Sequence, residues 1–269
     1  CIRDRPYPRR LMAAPGSLLV VERHARVYRR TWRGSVISTF MNPILYLLAM
    51  GLGLGSLVDD GGGTTTLDFD YLTFLAPGLL AAATMMTATG ESLYPVMGGM
   101  KWTKYYHDAL ATPITTRDLV VGHFGWVTFR ILFTAVVFAG VMVLFGTISL
   151  AIAPVVIFPA VLGGLAFAGP ITAYAAQLQN ETGLSAVFRF VITPLFLFSG
   201  TFFPIDQLPD WMEPIAYVTP LWHGVETTRS LALGIETTWA PGMHYLVMLA
   251  YLVVGAAIAD RFYHKKLVV

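Results

Sequence analysis

The chain has 269 residues, of which 55% are hydrophobic and only 13% are charged. Soluble domains carry about 25% charged residues, so this composition excludes an ordinary soluble protein and favours an all-α integral membrane protein. The single cysteine, Cys1, excludes an intrachain disulfide, and the formal net charge of +2 is informative only through its distribution along the chain.

The N-terminal arm, residues 1–34, contains nine of the eighteen lysines and arginines. Between Leu18 and Trp32 apolar residues recur at helical spacing, and arginines occupy the opposite side. This pattern predicts a basic amphipathic helix that lies in the cytoplasmic headgroup layer. A soluble targeting arm or a calmodulin-like target helix is the alternative.

Residues 35–260 are predicted to form the transmembrane domain, and residues 261–269 a cytoplasmic tail. About 20 apolar residues, at about 1.5 Å each, cross a hydrocarbon core of about 30 Å. The six predicted spans are residues 36–58, 69–94, 119–145, 151–177, 187–203 and 243–259. An even number of spans places both termini on the same side of the membrane.

The first two spans contain residues that are expected to disturb a straight helix. Pro43 should kink the first span, and Pro77-Gly78 should interrupt the second. Gly51 and Gly55 form a GxxxG pair, which allows close helix approach. The pair predicts either a contact between subunits or close packing within one subunit.

Two ionisable residues fall inside the predicted spans. Glu91 lies near the lower end of the second span, and it is either a functional group or an interfacial glutamate paired with a lysine or arginine. Arg130 lies about halfway along the third span. It is expected to face an aqueous path, to bind a substrate anion, or to donate to backbone carbonyls inside the bundle.

The polar segment 95–118 separates the second and third spans. Gly98-Gly99 permits a turn, and the aromatic and basic residues that follow predict a short helix lying across the membrane surface. An ordinary anchoring loop, with Trp and Tyr at the headgroups, is the alternative. The segment carries Lys101, Trp102, Lys104 and Tyr105.

Four prolines break the chain within residues 199–222. Proline blocks helix continuation, so short, broken and re-entrant external helices are predicted between the fifth and sixth spans. In the segment that follows, Glu226 and Arg229 lie three residues apart, and we expect them to pair on one helix face.

The distribution of charge predicts the orientation. The side that holds both termini carries sixteen lysines and arginines, whereas the opposite side carries only Arg229 and nine acidic residues. The positive-inside rule therefore places both termini in the cytoplasm, in a multi-pass protein of the cytoplasmic membrane.

The broken stretch also resembles the C-terminal signature of the ABC-2 type permeases, the membrane subunits of ABC exporters. The likeness covers about residues 28–260 and is nearest to the permeases for nodulation lipo-oligosaccharides and daunorubicin-type drugs. The residues that carry it are Gly200, Phe202, Phe203, Pro204, Leu208, Pro209, Pro220 and Leu221.

The resemblance implies that one kind of chain hydrolyses ATP and another kind, the permease, carries the substrate. A separate ATPase subunit, in two copies, would hold ATP and Mg, and a second permease copy would complete a homodimer. Relatives have a coupling helix where this chain has its short predicted helix, and an acidic residue where it has Glu91. The implied coupling residues are Gly98, Lys101, Trp102, Lys104, Tyr105 and Glu91.

Several functions are excluded or disfavoured by what the sequence lacks. It contains no Walker A, HExxH, CxxC or GxSxG motif, and no two histidines lie at metal-ligand spacing. We expect no metal, no cofactor and no nucleic-acid partner. The favoured hypothesis is export of an amphiphile, either a drug, a lipid or a glycolipid. The alternatives are a lipid-modifying membrane enzyme that uses Glu91, His123 and Arg130, or a non-transporting scaffold.

Overall fold

A computed structural model describes residues 15–50, 53 and 70–268. Within these residues all regular structure is helical, which confirms the all-α expectation. Gly51, Gly55 and the acidic segment 59–69 lie outside the described residues. The helices are α1 Gly16–Leu48, α2 Tyr71–Met97, α3 Tyr105–Leu110, α4 Thr116–Leu144, α5 Ala153–Gln177, α6 Thr182–Val187, α7 Thr193–Phe198, α8 Glu213–Val218, α9 Pro220–Leu233 and α10 Pro241–Leu267.

Helix α1 joins two elements that the sequence predicted as separate. The amphipathic arm and the beginning of the first span form one helix of 33 residues, with no break at Gly34. One glycine costs a helix only about 1 kcal/mol, which is too little to end a long helix on its own. Pro43 also lies inside α1 and does not end it.

Among the described residues, four helices are long and apolar enough to cross a membrane, and the predicted first span, 36–58, runs beyond those residues. They are Tyr71–Trp102, which is α2 with a π-helical turn added, together with α4, α5 and α10. The predicted fifth span is instead a shorter apolar helix, Thr182–Phe198, in which a π-helical turn joins α6 to α7. It ends before residue 203 because Gly200 adopts a positive φ of 76°.

Two other boundaries differ from the prediction. Pro77 lies within α2 and does not interrupt it, since the helix continues for 27 residues. The last helix runs on to Leu267, so most of the predicted tail is helical. Its last turn contains His264, Lys265 and Lys266, and basic residues there interact favourably with the negative end of the helix dipole.

Helix α5 lies at the centre and packs against α2, α4, α9 and α10. Small residues allow this close packing. A Cβ on Gly163 would lie 3.4 Å from the Cα of Gly224 on α9, and one on Gly255 of α10 would lie 2.5 Å from the backbone nitrogen of Pro170.

Between α7 and α10 the chain is broken into short helices, as the prolines predicted. Helix α9 lies inside the bundle. Its first residues, Leu221 and Val225, are buried in the same cluster as Met85, from the middle of α2, whereas Ala232 is buried with Tyr71, at the start of α2. Helix α9 therefore runs antiparallel to α2, from mid-bundle towards one end.

Candidate functional site

An ion pair between α2 and α4 lies at the centre of the candidate site. Arg130 Nε donates a hydrogen bond to Glu91 Oε1 at 2.7 Å, and Trp126 Nε1 donates to Glu91 Oε2 at 3.1 Å. The side chain of Arg130 is 8% exposed and that of Glu91 is 21% exposed. The sequence left Glu91 either as a functional group or as an interfacial glutamate paired with a lysine or arginine. The structure shows that Glu91 is paired, and that its partner, Arg130, is a residue of the helical bundle.

The remaining contacts of Arg130 reach α1. Arg130 Nη2 donates to Ser35 Oγ at 2.7 Å, and the guanidinium carbon lies 4.5 Å from the centre of the Tyr28 ring. Arg130 Nη1 is buried and has no hydrogen-bond partner among the described residues. Arg130 therefore connects three helices and retains one free donor group. Ser35 and Trp126 were not predicted as site residues, and Tyr28 was predicted only as part of the amphipathic arm.

Two cavities share Glu91 and Arg130. The first, here called the bundle cavity, has a volume of about 450 Å³ and lies between α1, α2, α4 and α7. Its polar lining residues lie near the ion pair and its apolar residues lie further away along the same helices. The polar set is Ser38, Thr39, Asn42, Thr87 and Thr134, and the apolar set includes Tyr46, Leu79, Met86, Phe138 and Phe196.

The second cavity, here called the arm cavity, has a volume of about 520 Å³. It lies between the first half of α1, the end of α2 with its π-helical turn, and α4. Aromatic and imidazole rings form much of its wall. They belong to His24, Tyr28, Tyr94, Trp102, Tyr105 and Trp126.

In the predicted coupling segment, residues 95–118, the chain turns at a different position from the one expected. Gly98-Gly99 does not turn the chain, because both residues lie in the π-helical turn Gly98–Trp102 that extends α2. The turn occurs at Lys104, whose φ of 52° is the one positive value among the described non-glycine residues. Lys101 Nζ donates to Gln179 Oε1 at 3.2 Å, and Lys104 is exposed.

The short helix predicted after this turn is α3, and two tyrosines hold it in place. The guanidinium carbon of Arg23 lies 3.3 Å from the centre of the Tyr105 ring, which fixes α3 to α1. Tyr263 of α10 donates to the Tyr106 hydroxyl at 3.2 Å. Gly99 is required beneath them, because a Cβ there would collide with the ring of Tyr106.

Burial also sets the ionisation of the groups around α3. Burial, and then the neighbouring Tyr106, raise the pKa of the Tyr105 hydroxyl, so that it stays a neutral donor. His24 lies in the arm, stacked on Trp126 with ring centres 5.8 Å apart. Burial, and then the charge of Arg23, lower the pKa of His24 to about 4, so its ring is neutral at neutral pH.

Arg229 and Glu226 do not form the pair that their spacing predicted. Arg229 Nε donates to Phe74 O at 3.1 Å, and its Nη2 donates to Gly200 O at 2.8 Å and to Thr201 O at 3.3 Å. Glu226 instead accepts from the backbone and side chain of Thr238. Arg229 turns away from Glu226 because the carbonyl groups of Gly200 and Thr201, just after α7, accept no hydrogen bond within a helix. The guanidinium group of Arg229 donates to them instead.

The signature residues lie in this broken region and at the start of α9. Gly200 makes the turn after α7, and Phe202 packs edge-on against Phe196, with ring centres 4.9 Å apart. Leu208 is buried with Trp222 in a small separate cluster. The other signature residues take up adjacent positions. Phe203 and Pro204 follow in the loop, Pro209 lies before α8, and Pro220 and Leu221 begin α9.

The histidines give no support to a metal centre or to an enzyme site. No group of three or more His, Cys, Asp and Glu is placed to hold a metal ion within the described part of the chain. His123 Nε2 lies 3.4 Å from Thr172 Oγ1 and does not contact Glu91 or Arg130. His223 and His244 approach to 2.9 Å between their Nδ1 atoms, a contact that their separation of 21 residues did not predict.

Comparison with known proteins decides the family. The family model described as ABC-2 type transporter matches residues 17–233, from the start of α1 to the end of α9. The chain belongs to the ABC-2 type transporter family. It is therefore a membrane-embedded transport permease rather than an enzyme, and membership implies pairing with an ABC ATPase subunit.

Individual ABC-2 relatives match along most of their length. Nodulation protein J of Rhizobium leguminosarum bv. viciae is 28% identical over 251 residues, which are 93% of this chain and 94% of the relative. Nodulation protein J of Neorhizobium galegae is 29% identical over 82% of this chain and 84% of its own. The inner membrane transport permease YadH of Escherichia coli strain K12 is 24% identical over 78% of this chain and 79% of its own length.

Proposed function

We propose that the chain is the permease subunit of an ABC exporter that moves an amphiphile outward across the cytoplasmic membrane. The observation that carries this proposal is the bundle cavity, whose lining changes from polar to apolar along three helices. On α1, Asn42 precedes Tyr46; on α4, Thr134 precedes Phe138; on α2 the order reverses with the chain direction.

This gradient matches the chemistry of an amphiphilic molecule. Hydroxyl and amide groups next to the ion pair offer hydrogen bonds to a head group, and the aromatic and aliphatic end accepts a hydrocarbon portion. The Glu91–Arg130 pair is internally neutral. The cavity therefore suits a lipid, glycolipid or apolar drug better than a small ion.

The energy for transport would come from a partner ATPase, which would hold the ATP and Mg. The exposed lysines of the predicted coupling segment, Lys101 and Lys104, offer the contact surface. Behind them α3 is fixed to α1 by Tyr105 and to α10 by Tyr106. Force applied to α3 would reach both helices without passing through a flexible loop.

The proposed assembly contains two permease copies and two ATPase copies. Large apolar side chains stand exposed on α1, which lines the bundle cavity, and on the π-helical turn that precedes α7, whose Phe196 also lines that cavity. Ile37 is 62% exposed and Phe190 is 73% exposed. A second copy packed on these faces would bury them and enclose the cavity. The charge distribution supports cytoplasmic termini on both copies.

Reconstitution tests the proposal. The tagged full-length chain is purified from its native membrane, the co-purifying ATPase is identified, and both are placed in vesicles with the ATPase facing outward. We expect ATP-dependent movement of a fluorescent amphiphile into the lumen, and none with an ATPase variant that lacks its Walker A lysine. Absence of any ATPase partner, or movement that is equal without ATP, would contradict the proposal.

A further inference from the structure

The arm cavity is a second, partly open space, separate from the bundle cavity and divided from it by Glu91 and Arg130. We propose that the arm cavity is a binding site for the sugar head group of a glycolipid, which it receives before the molecule enters the bundle cavity. The inference rests on the proposed export function and names the site and the chemical class of its ligand.

The wall of the arm cavity has the composition of a sugar site. A sugar ring has an apolar C–H face and a hydroxyl-bearing edge, so it binds where aromatic faces stand beside hydrogen-bonding groups. Tyr and Trp combine an apolar ring with a polar N–H or O–H. Trp102 and Tyr94 keep 52% and 46% of their surface exposed, so their rings are free to receive a ligand.

The hydrogen-bonding groups are also present. Arg130 is 7% exposed, and its Nη1 is buried without a partner among the described residues. A buried donor without a partner is costly, so an oxygen atom that accepts from it gains more than the same bond would gain at the surface. Ser35 and Thr31 add hydroxyl groups to the same wall.

Charge decides which amphiphiles fit. The cavity contains two guanidinium groups, those of Arg23 and Arg130, against one carboxylate, Glu91, which Arg130 already occupies. A cationic drug would place a third positive charge in this space. A neutral or acidic sugar meets no such repulsion, so the cavity discriminates against cationic amphiphiles.

The shared ion pair explains how the two cavities act in sequence. Arg130 lines both, and its Nη2 holds Ser35 of α1 at 2.7 Å. A head group that accepts from Arg130 in the arm cavity is already beside the polar end of the bundle cavity. Movement of α1 away from α4 would then admit it.

Photolabelling of the full-length chain tests the site without requiring transport. The purified permease is placed in phosphatidylcholine nanodiscs and exposed to an alkyl maltoside that carries a diazirine on the sugar. A second probe has the same chain length and a diazirine on a trimethylammonium head group. We expect the maltoside to label residues 23–35 and 94–105, and the ammonium probe to label them at least about five-fold less.

A variant pair provides the control. Trp102→Ala removes an exposed wall ring and should reduce maltoside labelling about five-fold, while Trp211→Ala, an exposed tryptophan outside the cavity, should leave it unchanged. Equal labelling by the ammonium probe, labelling confined to the bundle cavity, no loss in Trp102→Ala, or displacement by phosphatidylglycerol would each overturn the assignment. A sugar-labelled chain that shows no ATP-dependent transport would instead contradict the proposed function alone.

Discussion

Glu91 and Arg130, 39 positions apart in the sequence, are joined by a hydrogen bond of 2.7 Å between Oε1 and Nε. Glu91 also accepts a hydrogen bond from Trp126, on the same helix α4 as Arg130, whereas Arg130 also donates to Ser35 of α1. The pair therefore closes a polar bridge across α1, α2 and α4. Its position on the walls of both cavities makes it the most informative place to perturb the protein.

Glu91→Gln should destabilise the protein strongly, because it leaves the Arg130 guanidinium buried without its counter-charge. The expected loss is about 2–4 kcal/mol in the free energy of unfolding. Removing both charges, in Glu91→Gln with Arg130→Gln, should recover part of that loss, since no charge is then left unpaired. Thermal unfolding in detergent micelles measures both. Glu236→Gln, in an exposed loop, is the matched control and should change nothing.

Arg229→Met should loosen the segment after α7. The substitution keeps most of the side-chain volume but leaves the carbonyls of Gly200 and Thr201 without their donor inside the protein. We expect a loss of about 3 kcal/mol and faster amide hydrogen exchange in residues 199–204. Arg261→Met removes an exposed arginine and should have neither effect. Unchanged exchange in 199–204 would show that the three contacts of Arg229 do not hold this loop.

Substitutions at Lys104 separate its charge from its backbone conformation. A φ of 52° suits glycine, so Lys104→Gly should be at least as stable as the parent, whereas Lys104→Ala should be about 1 kcal/mol less stable than Lys104→Gly. If the ammonium group contacts the ATPase, both variants should lose stimulation of ATP hydrolysis by the permease. Full stimulation in Lys104→Gly would assign the role of this position to the turn alone.

Gly255→Ala tests the close approach of α5 and α10. The added Cβ would lie 2.5 Å from the backbone nitrogen of Pro170, so the two helices must separate. The expected cost is about 1–3 kcal/mol in the free energy of unfolding. Gly140→Ala adds the same methyl group to α4, where nothing lies within 4 Å, and should be neutral or slightly stabilising. Equal stability of the two variants would contradict the packing.

The sequence predicted the helical class and most helix positions, because these depend on local composition, and the resemblance of its proline-broken stretch predicted the family. Apolar segments located α2, α4, α5 and α10, and the prolines located the broken region before α9. The boundaries were less accurate, because helix ends depend on what each end packs against. Local composition did not indicate that one helix continues through Gly34, from the predicted arm into the predicted first span.

The candidate site was harder to predict than the fold, because its geometry depends on contacts between distant segments. Glu226 and Arg229 share a helix, so their spacing predicted a pair, yet the carbonyls of a loop 28 and 29 residues away bind Arg229 instead. The ion pair did leave a signal. Glu91 and Arg130 lie at similar distances from the ends of the two helices that the coupling segment connects.

The absence of a break in α1 has a mechanical consequence. Arg23, which contacts Tyr105 of α3, and Asn42, which lines the bundle cavity, lie on one continuous helix. Rotation of such a helix about Ser35 would carry Asn42 over a shorter arc than Arg23, because Asn42 lies seven residues from Ser35 and Arg23 lies twelve. A displacement applied at the Arg23 end would therefore reach the bundle cavity reduced in size.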